Sequence, residues 1–413
     1  MKIVGLIAEY NPFHNGHQYH IEKALEITGA DAAVVVMSGN FVQRGTPAIM
    51  PKHLRAEAAL KSGASLVIEL PVCYATGSAE YFAYGAVSLL DKLGCVDSIC
   101  FGSECGNIKV LQDLARIIHE EPMQYKESLN QYLRQGNSFP LARQKAMRNY
   151  LKSNVADSIL GEPNNILGIE YLKALYRLNS KMKPYTMQRI SSHYHNEYLQ
   201  ETYSSASAIR KVMHEPVDCI WHSQVPKPCV SLYKENAQVR YPIYANDFSV
   251  LLKHKLLQED KESLITYADV SEELANRILN KLNDYITFEQ FCELLKTKEL
   301  TYSRISRALI HILLEIKAID LNEISYARVL GFRMEDSEVL SLIKKQASIP
   351  LLTKLVSVNN YVTGDNTLSQ NGLFMLAQDI YAANLYESVI TDKFETPFIN
   401  EYVQQVIKYK RSI

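Results

Sequence analysis

The chain has 413 residues, 47% hydrophobic and 22% charged, which fits an ordinary soluble globular protein long enough for two or three packed cores. A formal net charge of −1 excludes bulk attraction to polyanions, so any nucleic-acid partner must be met by a local basic face. No apolar stretch approaches the length of a membrane span, and the opening residues, one lysine and a short apolar run followed at once by polar residues, do not read as a secretory leader. Cys73, Cys95, Cys100, Cys105, Cys219, Cys229 and Cys292 are scattered, odd in number and without a Cys-x-x-Cys pair, which predicts reduced thiols and a cytoplasmic location.

The first apolar run, Ile3-Val4-Gly5-Leu6-Ile7-Ala8, has the length and composition of a buried strand, and Asn11-Pro12 ends it because the residue before proline is held extended. From Gly16 the apolar positions Tyr19, Ile21, Ala24 and Leu25 follow helical spacing. Strand, loop and helix start therefore succeed one another, and the first helical turn offers unpaired N–H groups and a positive dipole end to a phosphate. His14 and His17 flank Gly16 there. A histidine can donate to phosphate oxygens, and Gly16 lets a ring or ribose approach the backbone. His14, His17 and His20 could instead be zinc ligands or plain helix-capping residues. Residues three apart rotate round a helix and no carboxylate sits at a familiar ligand spacing, so no metal site is expected.

Further strands are predicted at 32–37, 65–70 and 98–101, with helices over 51–62 and 78–93. The strands are continuously apolar and alternate with helices, which predicts an α/β fold with a Rossmann-like parallel sheet covered on both faces. The loops after the strands at 3–8, 32–37 and 98–101 should share one crevice at their carboxyl ends. Gly102 closes the fourth strand, either as a plain turn or as a close approach to a nucleotide. Arg44 and Lys52 could be solvated charges or phosphate contacts. Helices are predicted at 108–120, 123–135, 140–151 and 166–178, the last preceded by Pro163-Asn164-Asn165, where an asparagine serves as a helix cap or a ligand contact. A fifth strand at 185–190 delivers Arg189 to the same end of the sheet, and Ser205-Ala206-Ser207-Ala208-Ile209-Arg210 follows. Arg189 and Arg210 are candidate phosphate clamps, because a fixed guanidinium matches paired phosphate oxygens.

Near Pro226-Lys227-Pro228 strand signals cease, which places a boundary between residues 1–225 and a mostly helical domain, 226–413. Amphipathic runs begin at 271–275 and cover 287–295 and 303–315. Arg304 and Arg307 share one side of the last, and Lys344, Lys345, Lys354, Lys408, Lys410 and Arg411 are further basic positions. Such charges are either a solvated face or a surface that tracks an RNA backbone; no RNP strand or Gly-x-x-Gly clamp is present.

His14-Asn15-Gly16-His17 after a first strand matches the His-x-Gly-His signature of the adenylyl-transferring α/β nucleotidyltransferases. The longer string from Glu9 to His20, with Met37-Ser38-Gly39-Asn40-Phe41 and Gln43-Arg44-Gly45, resembles one branch more closely, the bacterial tRNA(Met) cytidine acetate ligases. That resemblance implies a ligase that forms acetyl-adenylate from ATP and acetate, with Mg²⁺ on the phosphates, and acetylates N4 of the wobble cytidine of elongator tRNA(Met). It implies His14 and His17 as catalytic residues. It further implies ATP contacts from Ile7, Ala8, Glu9, Tyr10, Asn11, Pro12, Phe13, His14, Asn15, Gly16, His17, Gln18, Tyr19 and His20, and from Gly102, Asn164, Arg189, Ser205, Ser207 and Arg210. In the wider superfamily the helix after the last strand begins Ser-Ser-Thr-x-Ile-Arg; here alanine and serine replace the inner pair, which leaves open which hydroxyl holds phosphate. Arg304 and Arg307 are the RNA-binding candidates. The competing readings are a nucleotidyltransferase or acid–amine ligase acting on a small molecule, and an RNA-binding factor for which ATP is regulatory.

Overall fold

The computed structural model describes residues 1–189, 204–213, 220–318, 323–355 and 368–411. Its frame is the apolar strands. β1 (Ile3–Ala8), β2 (Ala32–Ser38), β5 (Leu66–Leu70), β6 (Ser98–Ser103) and β7 (Lys183–Gln188) form a parallel array in the spatial order β5-β2-β1-β6-β7. The order reverses at β1, which pairs with β2 on one side and β6 on the other. Crevices form outside the carboxyl ends of strands at such a switch point. β3 (Phe41–Val42) and β4 (Thr46–Pro47) make a small antiparallel hairpin after β2.

Side chains alternate between two cores, as the period of a strand requires. Val4, Leu6, Val35, Met37 and Val67 face α1 (Asn15–Thr28) and α2 (Lys52–Lys61). Ile3, Val34, Val36, Leu66 and Ile68 face the opposite way, toward α3 (Val72–Ala75), α4 (Ala79–Lys92), α5 (Ile108–Glu120) and α9 (Pro163–Leu178). α6 (Met123–Arg134), α7 (Phe139–Leu151) and the short α8 (Val155–Leu160) build outward from α9. α10 (Ala206–Val212) and α11 (Lys227–Asn236) lead to the helices α12 (Ser249–Leu256), α13 (Lys261–Leu264), α14 (Glu272–Lys281), α15 (Phe288–Leu295) and α16 (Tyr302–Leu313). The second of the two cores continues into these helices, with Phe41 in edge contact with Phe248 and Tyr386 at ring-centroid distances of 5.5 and 6.1 Å.

Two expectations are corrected here. Strand signals do not cease at Pro226, and the sheet is not wholly parallel: β8 (Ala327–Arg333) pairs antiparallel with β5, and β9 (Leu351–Leu352) and β10 (Ile407–Tyr409) add to β8. α17 (Ser337–Gln346) and the long α18 (Gln370–Phe394) complete the chain. β8 was hidden by its composition, because Ala-Arg-Val-Leu-Gly-Phe-Arg breaks an apolar run with two arginines and a glycine. Arg328 is nonetheless buried, within 3.3 Å of Glu69 and 2.7 Å of Glu401. Lys52, 1% exposed, lies 2.8 Å from Glu69 and 2.7 Å from Glu401, so it is neither a solvated charge nor a phosphate contact. The predicted fifth strand ends at Gln188 with Arg189 just beyond it; Ile190 lies outside the described residues.

Candidate active site

The loop from β1 to α1 is fixed by its own side chains and by Tyr233 of α11. Asn11 Oδ1 accepts from Ile49 N–H (2.8 Å), Tyr233 hydroxyl donates to Phe13 O (3.2 Å), and Asn15 Nδ2 donates to Ser223 O (2.8 Å). Tyr10 and Phe13 are buried and pack on His17 at 4.8 and 5.6 Å between ring centroids. His14 is the N-cap of α1: its Nδ1 accepts from Gly16 N–H (3.1 Å), while His17 Nδ1 accepts from His14 N–H (3.2 Å), and the two rings stack at 3.8 Å. The same residues that the sequence offers as catalytic candidates thus also cap the helix. Because each Nδ1 accepts a backbone hydrogen, each neutral ring carries its proton on Nε2, giving a pair of Nε2–H donors at the start of a helix. A Cβ at Gly16 would fall 2.9 Å from His14 Cε1, so glycine is what allows this ring to lie over the first turn.

Burial, with the neighbouring charges of Arg189 and Arg210, pushes the His14 imidazole down to about 3. Burial, His14 and Arg189 hold His17 well down, and His20 falls to about 4 through burial and Arg189, against a hydrogen bond to the Cys100 backbone. All three are therefore neutral donors at pH 7 before a nucleotide arrives, and the positive charge of the site comes from arginine.

Those arginines come from two other segments. Arg189 follows β7, its N–H donating to Ser103 O (3.0 Å) and its NH1 reaching Asn164 Oδ1 (3.4 Å); a Cβ on Gly102 would approach the Arg189 side chain to 3.1 Å. Arg210 on α10 donates to Asn11 O (2.6 Å) and to Ser207 Oγ (3.1 Å), which ties α10 to the β1 loop. Ser205 Oγ caps α10 by accepting from Ala208 N–H (3.1 Å). The two asparagines before α9 have separate tasks. Asn165 is buried and its Oδ1 accepts from Glu104 and Cys105 N–H, whereas the half-buried Asn164 lies between Glu104 Oε1 (2.6 Å) and Arg189.

The structure thus brings His14, His17, His20, Gly102, Asn164, Arg189, Ser207 and Arg210 around the carboxyl ends of β1, β6 and β7. Ile7 and Ala8 are half-buried at the end of β1, and Glu9 Oε1 accepts from Gln43 N–H (2.9 Å). Gln18 turns along α1 to Glu22 (3.0 Å). Arg304 and Arg307 lie apart from this group on α16, where Arg307 pairs with Asp269 (2.8 Å) and Arg304 has no ion-pair partner among the described residues. Sequence reading missed Arg55. Fully buried on α2, it donates to Met50 O, Glu9 O, Ser38 O and Gly39 O, bracing the loops after β1 and β2 together. Its one signal is a cation in a mostly apolar stretch, Leu54 to Leu60, whose one other charge is Glu57.

A mostly parallel sheet with a switch point, a helix N-terminus carrying paired imidazole donors, and two guanidiniums facing it define an α/β enzyme of the nucleotidyltransferase class. Residues 1–399 match the family model of the HIGH nucleotidyl transferases. The tRNA(Met) cytidine acetate ligase of Clostridium acetobutylicum is 42% identical over 98% of this chain and 100% of its own length, and that of Clostridium tetani 43% identical over 86% and 91%. Two crystal structures of Thermotoga maritima TmcAL, one apo and one bound with alpha-thio ATP, each cover 100% of both chains at 31% identity, with TM-scores of 0.93 and 0.91. The chain belongs to the tRNA(Met) cytidine acetate ligases, a branch of the HIGH nucleotidyl transferases.

Proposed function

We propose that this protein is an ATP-dependent ligase that acetylates N4 of the wobble cytidine of elongator tRNA(Met), using acetate, in the cytoplasm. The observation that carries the reading is the pair of Nε2–H donors, His14 and His17, at the start of α1, faced by Arg189 and Arg210. In the first step an acetate oxygen bonds to the α-phosphorus of ATP and the bond to pyrophosphate breaks. His14 and His17 donate to the oxygens on which charge grows, and Arg189 and Arg210, with Ser205 and Ser207, hold the leaving pyrophosphate. Three cradling elements supply the remaining ATP contacts, namely the loop and helix start 7–20, Gly102 and Asn164. In the second step the cytidine N4 attacks the acetyl carbonyl carbon, AMP leaves with the bonding electrons, and N4 loses a proton. Neither step needs a covalent protein nucleophile. Mg²⁺ would accompany ATP, but among the described residues no three His, Cys, Asp or Glu side chains gather to hold it, and the steps given are those of the chain's own groups.

Residues 1–225 would carry the ATP chemistry and 226–413 would hold the RNA, with Arg304 and Arg307 on the holding surface. An anticodon-loop base can be splayed out to reach such a crevice without melting a duplex. Among the described residues no helix is long and apolar enough to cross a membrane. The test is to incubate the protein with ATP, Mg²⁺, acetate and bulk bacterial tRNA and to analyse the nucleosides, omitting acetate or tRNA as controls. N4-acetylcytidine formed only in the complete mixture supports the ligase; AMP transferred to a small molecule instead returns the reaction to a simpler nucleotidyltransferase.

A further inference from the structure

The ATP crevice and the helices after residue 245 meet at one small element, the turn Gln43-Arg44-Gly45 between β3 and β4. It is held from both sides. Toward the crevice, Gln43 N–H donates to Glu9 Oε1 (2.9 Å), on the loop that leads to His14, and Gln43 Nε2 reaches Gly77 O (3.4 Å). Toward the helices, Ser306 Oγ on α16 donates to Gly45 O (2.7 Å). Gly45 has φ +73°, and a Cβ there would fall 2.3 Å from Arg307 N, so the turn sits directly on the α16 backbone and only glycine fits. The flanking Phe41 and Val42 are buried, which anchors the hairpin in the core.

Of the three turn residues only Arg44 is exposed. Arg304 lies on α16, one turn before the backbone on which Gly45 rests. A strand of RNA lying along α16 with one base in the crevice must cross this turn, because the turn is wedged between the two. A guanidinium is suited to phosphate oxygens, and phosphate contacts fix register without reading sequence.

We propose that the Gln43–Gly45 turn is a strap over which the RNA backbone crosses, Arg44 and Arg304 gripping the phosphates that flank the cytidine entering the crevice. This rests on the reading of the substrate as an RNA cytidine. The same turn bonds Glu9, so a strand seated on it is also registered against the loop that carries the catalytic histidines.

The test compares the full-length wild type with Arg44→Ala, Arg44→Lys and, as a control on another exposed arginine, Arg134→Ala on α6. Binding of bulk tRNA is measured across a salt series, ATP affinity by calorimetry. Arg44→Ala should weaken tRNA binding about tenfold, as for one charged hydrogen bond. It should also make the slope of log affinity against log salt shallower by about 0.7, as for one single-strand phosphate. ATP affinity should be kept, Arg44→Lys should retain the slope, and Arg134→Ala should match wild type. Wild-type affinity and slope in Arg44→Ala overturn the strap. If the wild type makes no acetylcytidine but Arg44→Ala flattens the slope, the reaction reading fails and the strap stands as an RNA contact.

Discussion

Glu401→Ala should be among the most damaging substitutions in the chain, although residue 401 lies far in sequence from the loop between β1 and α1. Glu401 Oε1 is 2.7 Å from both Lys52 Nζ and Arg328 NH2, in a cluster no more than 5% exposed. Its removal leaves the two buried cations with Glu69 as their one remaining ion-pair partner among the described residues, at 2.8 and 3.3 Å. Breaking a buried pair from one side costs about 3–5 kcal/mol, and because Glu69 still faces both cations we expect about 3 kcal/mol. Urea unfolding can be followed by the fluorescence of the single tryptophan, Trp221. The decisive comparison is a double-mutant cycle with Lys52→Met: the double variant should be less destabilised than the sum of the singles by more than about 0.5 kcal/mol. Strictly additive losses would refute the pairing argument. The pH dependence has a fixed sign. Against the opposing effect of burial, Lys52, then His53 and Arg328, hold the Glu401 carboxyl well below the usual carboxylate range. Its contribution is present above the unfolded value of about 4.3 and is lost as pH falls through the folded one, so wild type and variant converge only in strong acid.

Removing the His17 donor by His17→Ala should lower single-turnover acetylation about 10²–10³-fold with little change in tRNA affinity; unaltered turnover would remove His17 from the proposed catalytic pair. Gly16→Ala forces the His14 ring off the first turn of α1, so ATP affinity, read by calorimetry, should fall while urea unfolding stays near wild type. The buried imidazoles make a pH signature of the same sign as that of Glu401, in a higher pH window. His14 and His20 sit at about 3 and about 4 when folded and near 6.5 when unfolded, so the unfolded chain takes up their protons first. Stability should therefore decline as pH drops from about 6.5 toward 4, less steeply in His20→Gln, and NMR of the nucleotide-free protein should show neither ring titrating between about pH 5 and 8. Replacing Arg304 and Arg307 by alanine should weaken tRNA binding and flatten its salt dependence, with Arg304→Ala alone giving most of the effect because Arg307 is already paired with Asp269.

Where a rule of chemistry acts on neighbours in the chain, the sequence was readable. The apolar runs gave β1, β2, β5 and β6 to within a residue or two, and the pattern around Gly16 placed the start of α1 beside two histidines. What could not be read depends on partners distant in sequence. Arg55 looks like any helical surface charge until the carbonyls of Glu9, Ser38 and Gly39 close around it. Lys52 and Arg328 each look solvated, and only Glu69 and Glu401 explain their burial. The division of labour between Asn164 and Asn165 depends on Glu104, some sixty residues earlier. The two-residue strands of the β3–β4 hairpin are too short to leave a periodicity at all.

The antiparallel seat of β8 against β5 also sets an order of events on the ribosome. β5 is complete at Leu70, yet its outer edge waits for Ala327–Arg333 to be synthesised. At about 5–20 residues per second that interval is on the order of tens of seconds. Throughout it the nascent chain carries an apolar strand with one row of N–H and C=O groups unpaired, the kind of edge that recruits foreign strands. A ribosome stalled near residue 226 would release a chain with that edge bare, so aggregation rather than a working half-enzyme is the expected fate of such a fragment.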